Sequence, residues 1–255
     1  MTGMALVTGA RRGIGKAIAL ALAREGFDVA VNDLTPSSEL DGTIAEIAAC
    51  GRHAAAVVGD IGYLDQHQQL LDTAESALGP VTTLVNNAGV SVMSRGDLLD
   101  VVPESYDRCL DINARGTFFL TQAFARRLLA RERTGDVHQS IITVSSANAA
   151  APSVKRGEYC VSKAAVSMVS KLFAARLANE GIGVYEIQPG FIESDMTAPS
   201  KERYDRQIAE GLTVIRRFGR PEEVGRIAAT LALGLLPYTA GQIIAADGGL
   251  LTVRY

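Results

Sequence analysis

The sequence of 255 residues is poor in cysteine and proline, with three and eight, and has no tryptophan. Three cysteines, Cys50, Cys109 and Cys160, cannot staple a small secreted fold. Their sparse, odd number suits a reducing cytoplasm. No Cys/His cluster has metal-ligand spacing, so no metal is expected. No stretch approaches the roughly 18 apolar residues that a membrane-spanning helix needs, so no membrane partner is expected. The opening Met1-Thr2-Gly3-Met4 runs at once into an apolar segment, without the basic start and long apolar run of a secretory leader. Neither sign of charge dominates: 25 basic against 28 acidic residues leave a net charge of −3, which argues against a nucleic-acid partner. Pro/Ser/Gly-rich linkers and internal repeats are also missing, which favours one domain over residues 1–255. With 47% hydrophobic and 21% charged residues, the composition is that of a soluble globule and excludes disorder as a main theme.

Glycine is what the sequence has, 25 residues of it, in short clusters after apolar runs. Such clusters predict tight strand-to-helix turns. Apolar runs at 4–8, 29–31, 54–58, 81–85, 141–144, 184–187 and 243–245 read as buried strands. Between them, helical periodicity covers 14–25, 40–51, 64–78, 106–129, 161–178 and 224–233. About seven strands alternating with helices, joined by right-handed crossovers, predict an α/β fold: a doubly wound parallel sheet with helices on both faces. Residues 189–220 break the rhythm with Pro189-Gly190, Pro199 and many charges. This segment is expected to be a substrate loop, the alternative being a plain surface excursion.

Thr8-Gly9-Ala10-Arg11-Arg12-Gly13-Ile14-Gly15 joins the first strand to the first helix. Glycines there let the backbone approach a pyrophosphate, and the helix N-terminus offers free N–H groups and a positive dipole end. The pattern is G-x-x-x-G-x-G, and its position makes Gly9, Arg11, Arg12, Gly13, Ile14 and Gly15 candidates for cofactor contact. Asp33 ends the second strand, where a carboxylate accepts hydrogen bonds from the adenosine ribose and repels a 2′-phosphate. That favours NAD(H) over NADP(H). Arg11 and Arg12 pull the other way, since either could pair with the phosphate. Asp60, with Ile61 beside it, ends the third strand and is placed for the adenine amino group, or simply forms a turn. Asn86-Asn87-Ala88-Gly89 follows the fourth strand. Asn87, Ala88 and Gly89 suit cofactor contact, and the two amides suit a brace between strands.

In Tyr159-Cys160-Val161-Ser162-Lys163 the tyrosine and lysine stand at i and i+4 and share a helix face. An ammonium beside a phenol favours phenolate and lowers its pKa from about 10. Such a tyrosine can move a proton to or from an alcohol oxygen. Ser146, at the end of the strand before this helix, can reach the same oxygen; Ser145 reads as a strand residue.

Thr8–Gly15, Asn86–Gly89, Asn113, Ser146, Tyr159, Lys163 and Pro189-Gly190 together resemble the short-chain dehydrogenase/reductases over essentially the whole chain. The resemblance implies a Rossmann-type sheet of order 3-2-1-4-5-6-7 and a homotetramer. It implies that Tyr159 is the acid/base, and that Lys163 holds the nicotinamide ribose and lowers the Tyr159 pKa. It also implies that Ser146 polarises the substrate oxygen and that Asn113 supports a water linking Lys163 to solvent; the alternative for Asn113 is a helix-kink amide. Pro189, Gly190, Ile192 and Ser194 would meet the nicotinamide, with the Ile192 backbone gripping its carboxamide.

Two enzyme readings follow for the substrate. The first is an NAD-dependent dehydrogenase of a small secondary alcohol: a sugar, polyol or hydroxy acid. Arg95, Lys155, Arg156 and Glu158 lie near the expected cleft and would make it polar. The alternative rests on a whole-chain resemblance to the 3-oxoacyl-(acyl-carrier-protein) reductases, which implies NADPH and an acidic carrier protein. There Arg126, Arg127, Arg131 and Arg133 could dock an acidic carrier, or could be a solvated helix end. Asp33, the acidic end Ala178-Asn179-Glu180 and the longer loop at 131–140 depart from such reductases. A remote third reading is a non-catalytic dinucleotide-binding sensor.

Overall fold

The computed structural model describes residues 3–132, 137–195, 197–198 and 201–254. Seven strands form one sheet: β1 (Met4–Val7), β2 (Asp28–Asp33), β3 (Ala54–Val58), β4 (Thr83–Asn86), β5 (Gln139–Val144), β6 (Ile182–Pro189) and β7 (Ile243–Ala246). Their order is β3-β2-β1-β4-β5-β6-β7, and every pairing is parallel. Short apolar runs form these strands because both faces are covered. On β1, Ala5 and Val7 join one buried cluster and Met4 and Leu6 the other. Alternation of side chains across the pleat divides them this way.

One face of the sheet packs against α1 (Gly13–Arg24), α2 (Ser38–Ala49) and α8 (Pro221–Ala232). A Cβ on Gly225 would come within 2.6 Å of the Ala17 carbonyl, so a glycine lets α8 lie tight on α1. The other face packs against α3 (His67–Leu78), α5 (Thr117–Ala130) and α6 (Gly157–Leu177). The sheet order reverses between β1 and β4, opening a crevice at the carboxyl ends of the strands.

The structure corrects two boundaries. The helix expected over 106–129 is three pieces: α4 (Pro103–Cys109), a π-helical stretch (Leu110–Gly116) and α5. Within this stretch the Asn113 side chain bonds the Val90 backbone through both its oxygen and its nitrogen. A π-helical turn inside a helix commonly marks a functional position. The segment 189–220 contains a helix, α7 (Lys201–Ala209). Tyr204 and Ile208, one turn apart, bury with Phe218 in a small separate cluster against Phe191. Gly219 donates to the Phe191 carbonyl at 2.8 Å and accepts from Glu193 N–H at 2.9 Å, pinching the loop at its base. Pro199 and Arg133 lie outside the described residues.

Candidate active site

The glycine loop and the loop after β4 hold one another. The Thr8 hydroxyl accepts from the backbone N–H groups of Asn87 and Ala88, both at 3.0 Å. Asn87 Nδ2 donates to the carbonyls of Thr8 at 2.9 Å and Gly9 at 3.0 Å, the brace expected of the paired amides. Its neighbour Asn86 donates to Thr121 Oγ1 at 2.8 Å. Two glycines are dictated by this closeness. Gly9 has φ +62°, and a Cβ there would sit 2.8 Å from Ala88 Cα; one on Gly15 would sit 2.5 Å from Asn87 Nδ2.

A cleft of about 960 Å³ runs over these loops from β2 to β6. Every candidate cofactor residue lines it, as do Ser146, Tyr159 and Lys163. At one end, Asp33 is buried and accepts from Arg11 N–H at 3.3 Å and Leu34 N–H at 2.8 Å. The Arg11 guanidinium lies 3.7 Å from Asp33 and 3.5 Å from Glu39. Arg12 pairs with Glu39 at 3.8 Å and with Asp195 of the substrate loop at 3.1 Å. Both arginines that could have drawn a 2′-phosphate already face carboxylates. Asp60 Oδ1 accepts from Gly62 N–H at 2.8 Å, so this residue does form a turn while lining the cleft.

At the other end, β5 stops at Val144 and the next two hydroxyls diverge. Ser145 donates to buried Glu186, whereas Ser146 Oγ accepts from Asn148 N–H at 3.1 Å and lines the cleft beside Tyr159. Glu186 also accepts from Ser167 Oγ and Gln188 Nε2, both at 2.8 Å. Lys163 is buried beside the tyrosine: its Nζ donates to the Val144 carbonyl at 3.1 Å and lies 5.7 Å from the Tyr159 ring centre. Burial brings the Lys163 pKa down to about 8, against the opposing charge of Glu186.

The Tyr159 phenol differs from the sequence expectation. Burial raises its pKa, opposed first by the neighbouring Ser146 hydroxyl and then by the charge of Arg156. Arg156 is a second cation at this ring beside Lys163, its guanidinium carbon 5.2 Å from the ring centre.

Asn113 is the one catalytic candidate that does not line the cleft. Its Oδ1 accepts from Val90 N–H at 2.7 Å, and its Nδ2 donates to the Val90 carbonyl at 3.0 Å and Ser162 Oγ at 2.9 Å. It therefore fixes the loop leaving Gly89, which passes beside Lys163. A Cβ on Gly89 would stand 3.5 Å from Lys163 Nζ. Pro189 ends β6 and Gly190 packs on Asp247, while Ser194 is held by Thr197, whose hydroxyl accepts from Ser194 N–H at 3.1 Å.

The geometry offers a dinucleotide a glycine-lined cradle at one end and a hydroxyl–phenol–ammonium set at the other. The family profile described as Enoyl-(Acyl carrier protein) reductase matches residues 9–251. The chain belongs to the short-chain dehydrogenase/reductase family. It is an oxidoreductase of CH–OH and keto groups, and its Rossmann-type sheet is that of the family's solved structures. The 3-oxoacyl-(acyl-carrier-protein) reductase of Staphylococcus aureus is 35% identical, over 98% of each chain. A 3-oxoacyl-(acyl-carrier-protein) reductase from Brucella melitensis, solved in complex with NAD, is 40% identical, covers 100% of this chain and 99% of that one, and superposes with a TM-score of 0.96. An Agrobacterium tumefaciens protein provisionally named a 2-deoxy-D-gluconate 3-dehydrogenase, solved with NADP, is 31% identical, covers 98% and 96%, and has a TM-score of 0.87.

On the substrate side this short-chain dehydrogenase/reductase departs from the sequence expectation. Arg95 and Arg156 line the cleft, but Lys155 and Glu158 do not. Glu158 is buried, accepting from Ser105 Oγ at 2.6 Å. Sequence reasoning missed Arg108, Asn148, Phe191 and Tyr204 in the cleft, and Glu186 beneath Lys163. An acidic residue inside the otherwise apolar run of β6 was the available signal for Glu186. Half of the suggested carrier-docking patch is internally paired: Arg127 meets Asp72 at 2.6 Å and Glu75 at 3.0 Å, and Arg131 meets Glu75, while Arg126 is exposed. No helix among the described residues is long and apolar enough to cross a membrane, and no cluster of three or more His, Cys, Asp or Glu side chains there could hold a metal ion.

Proposed function

We propose that this enzyme interconverts a 3-oxoacyl and a 3-hydroxyacyl group with a nicotinamide dinucleotide, NAD(H) in preference to NADP(H). The hydroxyl–phenol–ammonium set at the end of a dinucleotide-sized cleft carries the reading. The 3-oxoacyl substrate is supported by the relatives, which favour it over the sugar or polyol reading. The choice of NAD(H) rests on Asp33 and Glu39. These carboxylates neutralise Arg11 and would repel a 2′-phosphate.

The cleft fits the cofactor: Gly9 and Gly15 leave no room for side chains where the pyrophosphate would pass. The N-terminus of α1 would face that pyrophosphate, with Asp33 at the ribose, Asp60 and Ile61 at the adenine, and Asn87, Ala88 and Gly89 along the chain. Lys163 would hold the second ribose, and Pro189, Gly190, Ile192 and Ser194 the carboxamide. When bound, the nicotinamide supplies or accepts a hydride at its C4. In the reductive direction Ser146 donates a hydrogen bond to the substrate carbonyl, and Tyr159 gives that oxygen its proton as C=O becomes C–OH. Lys163 and Asn113 keep the phenol and the loop after Gly89 in place. The chain would act as one dinucleotide-binding and catalytic unit, with residues 189–220 over the substrate. Three free cysteines suit a cytoplasmic setting. An exposed apolar stripe suits a homotetramer: Val161, Met168 and Leu172 on α6, with Phe119 on α5.

Turnover of a 3-oxoacyl substrate is expected to fall by about 10²–10⁴-fold in Tyr159→Phe, with dinucleotide affinity retained. Titrating NADH and NADPH and following nucleotide fluorescence reads the second part, helped by the absence of tryptophan emission. Full activity of Tyr159→Phe would remove the tyrosine from its role, and tighter NADPH would overturn the cofactor preference.

A further inference from the structure

Arg156 has more than one attachment within the reacting set. It ends a short turn (Val154–Arg156) at the start of α6 and lines the cleft. One guanidinium nitrogen donates to Asn148 Oδ1 at 2.7 Å. Asn148 is itself fixed, with its N–H donating to Ser146 Oγ at 3.1 Å and its Nδ2 to the Ala151 carbonyl at 2.9 Å. Ser146, Asn148, Arg156 and Tyr159 are thus one connected group, and the guanidinium is held beside the phenol. Among the described residues Arg156 forms no ion pair, and its remaining N–H groups have no protein acceptor. Arg108 enters the same cleft, donating to the Ser91 carbonyl at 3.1 Å. Among the described residues no acidic side chain lines this end of the cleft; Asp33, Asp60 and Asp195 lie towards the adenosine end and the loop.

A guanidinium fork matches a carboxylate in two parallel hydrogen bonds. Where it sits limits which anion it can serve. The substrate oxygen must lie against Ser146 and Tyr159, so an anion on Arg156 can be only a few bonds from the reacting carbon. The carboxylate of a free 3-oxo acid is two carbons away. The phosphate of a carrier protein's pantetheine arm is many bonds away. Of the surface arginines that could have met an acidic carrier, Arg127 and Arg131 are occupied by Asp72 and Glu75 of α3, which leaves Arg126 as the exposed one among the described residues. Arg176, at the end of α6, pairs with Glu180 at 2.9 Å.

We propose that Arg156 is the carboxylate-binding residue of the substrate subsite, and that the enzyme acts on free 3-oxo and 3-hydroxy acids rather than on acyl groups tethered to a carrier protein. This rests on the ketoreductase reading and names its substrate class. In reduction the ketone carbon gains the hydride of NADH and the oxygen gains the Tyr159 proton, giving the 3-hydroxy carboxylate and NAD⁺, while the carboxylate keeps its charge on Arg156. Binding it also sets a counter-charge against the cation over Tyr159.

The test compares short and medium-chain 3-oxo acids with their methyl esters and N-acetylcysteamine thioesters, using NADH and the whole enzyme. Wild type is expected to favour acid over ester by about tenfold or more in kcat/KM, the range of a charge-assisted pair. In Arg156→Gln that ratio should fall towards one, mainly through KM for the acid, and Arg156→Lys should keep part of it. Any general effect on Tyr159 acts on acid and ester alike and cancels in the ratio. Equal or better use of esters or thioesters by wild type would overturn the carboxylate proposal and leave the ketoreductase reading standing. A preference for acid that survives in Arg156→Gln would remove Arg156 from the role. Reduction of none of the three would overturn both.

Discussion

At the scale of the residue, Lys163 shows how burial and function pull apart. An ammonium moved from water into the protein loses solvation, and here one hydrogen bond to the Val144 carbonyl and the charge of Glu186 only partly compensate. Its pKa falls from 10.5 to about 8. Between these two values the unfolded chain binds more protons at this site than the folded one, so the contribution to stability rises with pH through that window and is flat below about 8. Urea unfolding of wild type and Lys163→Met at pH 7 and pH 9.5 checks this. The difference in unfolding free energy should move in favour of wild type as pH rises. A difference that stays constant would mean that Lys163 keeps an ordinary pKa in the folded protein. The same residue scale separates Ser145 from Ser146, adjacent hydroxyls of which one faces Glu186 and the other the phenol.

At the scale of the element, the junction of β1 and α1 governs the dinucleotide end. The first turn of α1 lies against Asn87, so Gly15 is a point of contact rather than a flexible spacer. Gly15→Ala should cost about 1–3 kcal/mol of stability through overpacking against backbone. It should also weaken NADH binding, because Asn87 and the Gly9 carbonyl must shift. Thermal unfolding with and without NADH reads both effects; an unchanged melting temperature together with an unchanged NADH-induced rise would contradict the close packing. The glycine pattern, the Tyr159/Lys163 spacing and Ser146 were legible in the sequence because local rules fix them: a turn that admits no Cβ, a helical period, a strand end. The broken helix around Asn113 was not legible. Periodicity runs on through 106–129, and the π-helical stretch bonds to Val90, distant in the sequence. The helix Lys201–Ala209 was hidden by its charges, with Tyr204 and Ile208 as the faint signal.

At the scale of the whole molecule, α6 is apolar on two sides. One side packs on the sheet, and the other leaves Val161, Met168 and Leu172 exposed in a stripe. An exposed apolar surface of this kind suits contact with a second copy. Carboxylates placed there would have to be desolvated on association. Met168→Glu combined with Leu172→Glu should therefore lower the solution mass by light scattering below that of the wild type. The far-ultraviolet circular dichroism should be unchanged, because neither side chain is in the core. A mass unaffected by both substitutions would place the subunit contact elsewhere.

The sequence by itself determined the parallel α/β architecture, the glycine cradle and the tyrosine, lysine and serine that meet in the same cleft. Each depends on spacing along a strand, a turn or a helix, and such spacing is local. Tertiary structure alone decided which charges remain available. It turned Arg127 and Arg131 towards α3, paired Arg11 with Asp33 and Glu39, sent Glu158 into the interior, and set Arg156 over Tyr159. A charged side chain takes its role from partners far away in sequence and from its loss of water, and neither is written in the spacing of residues.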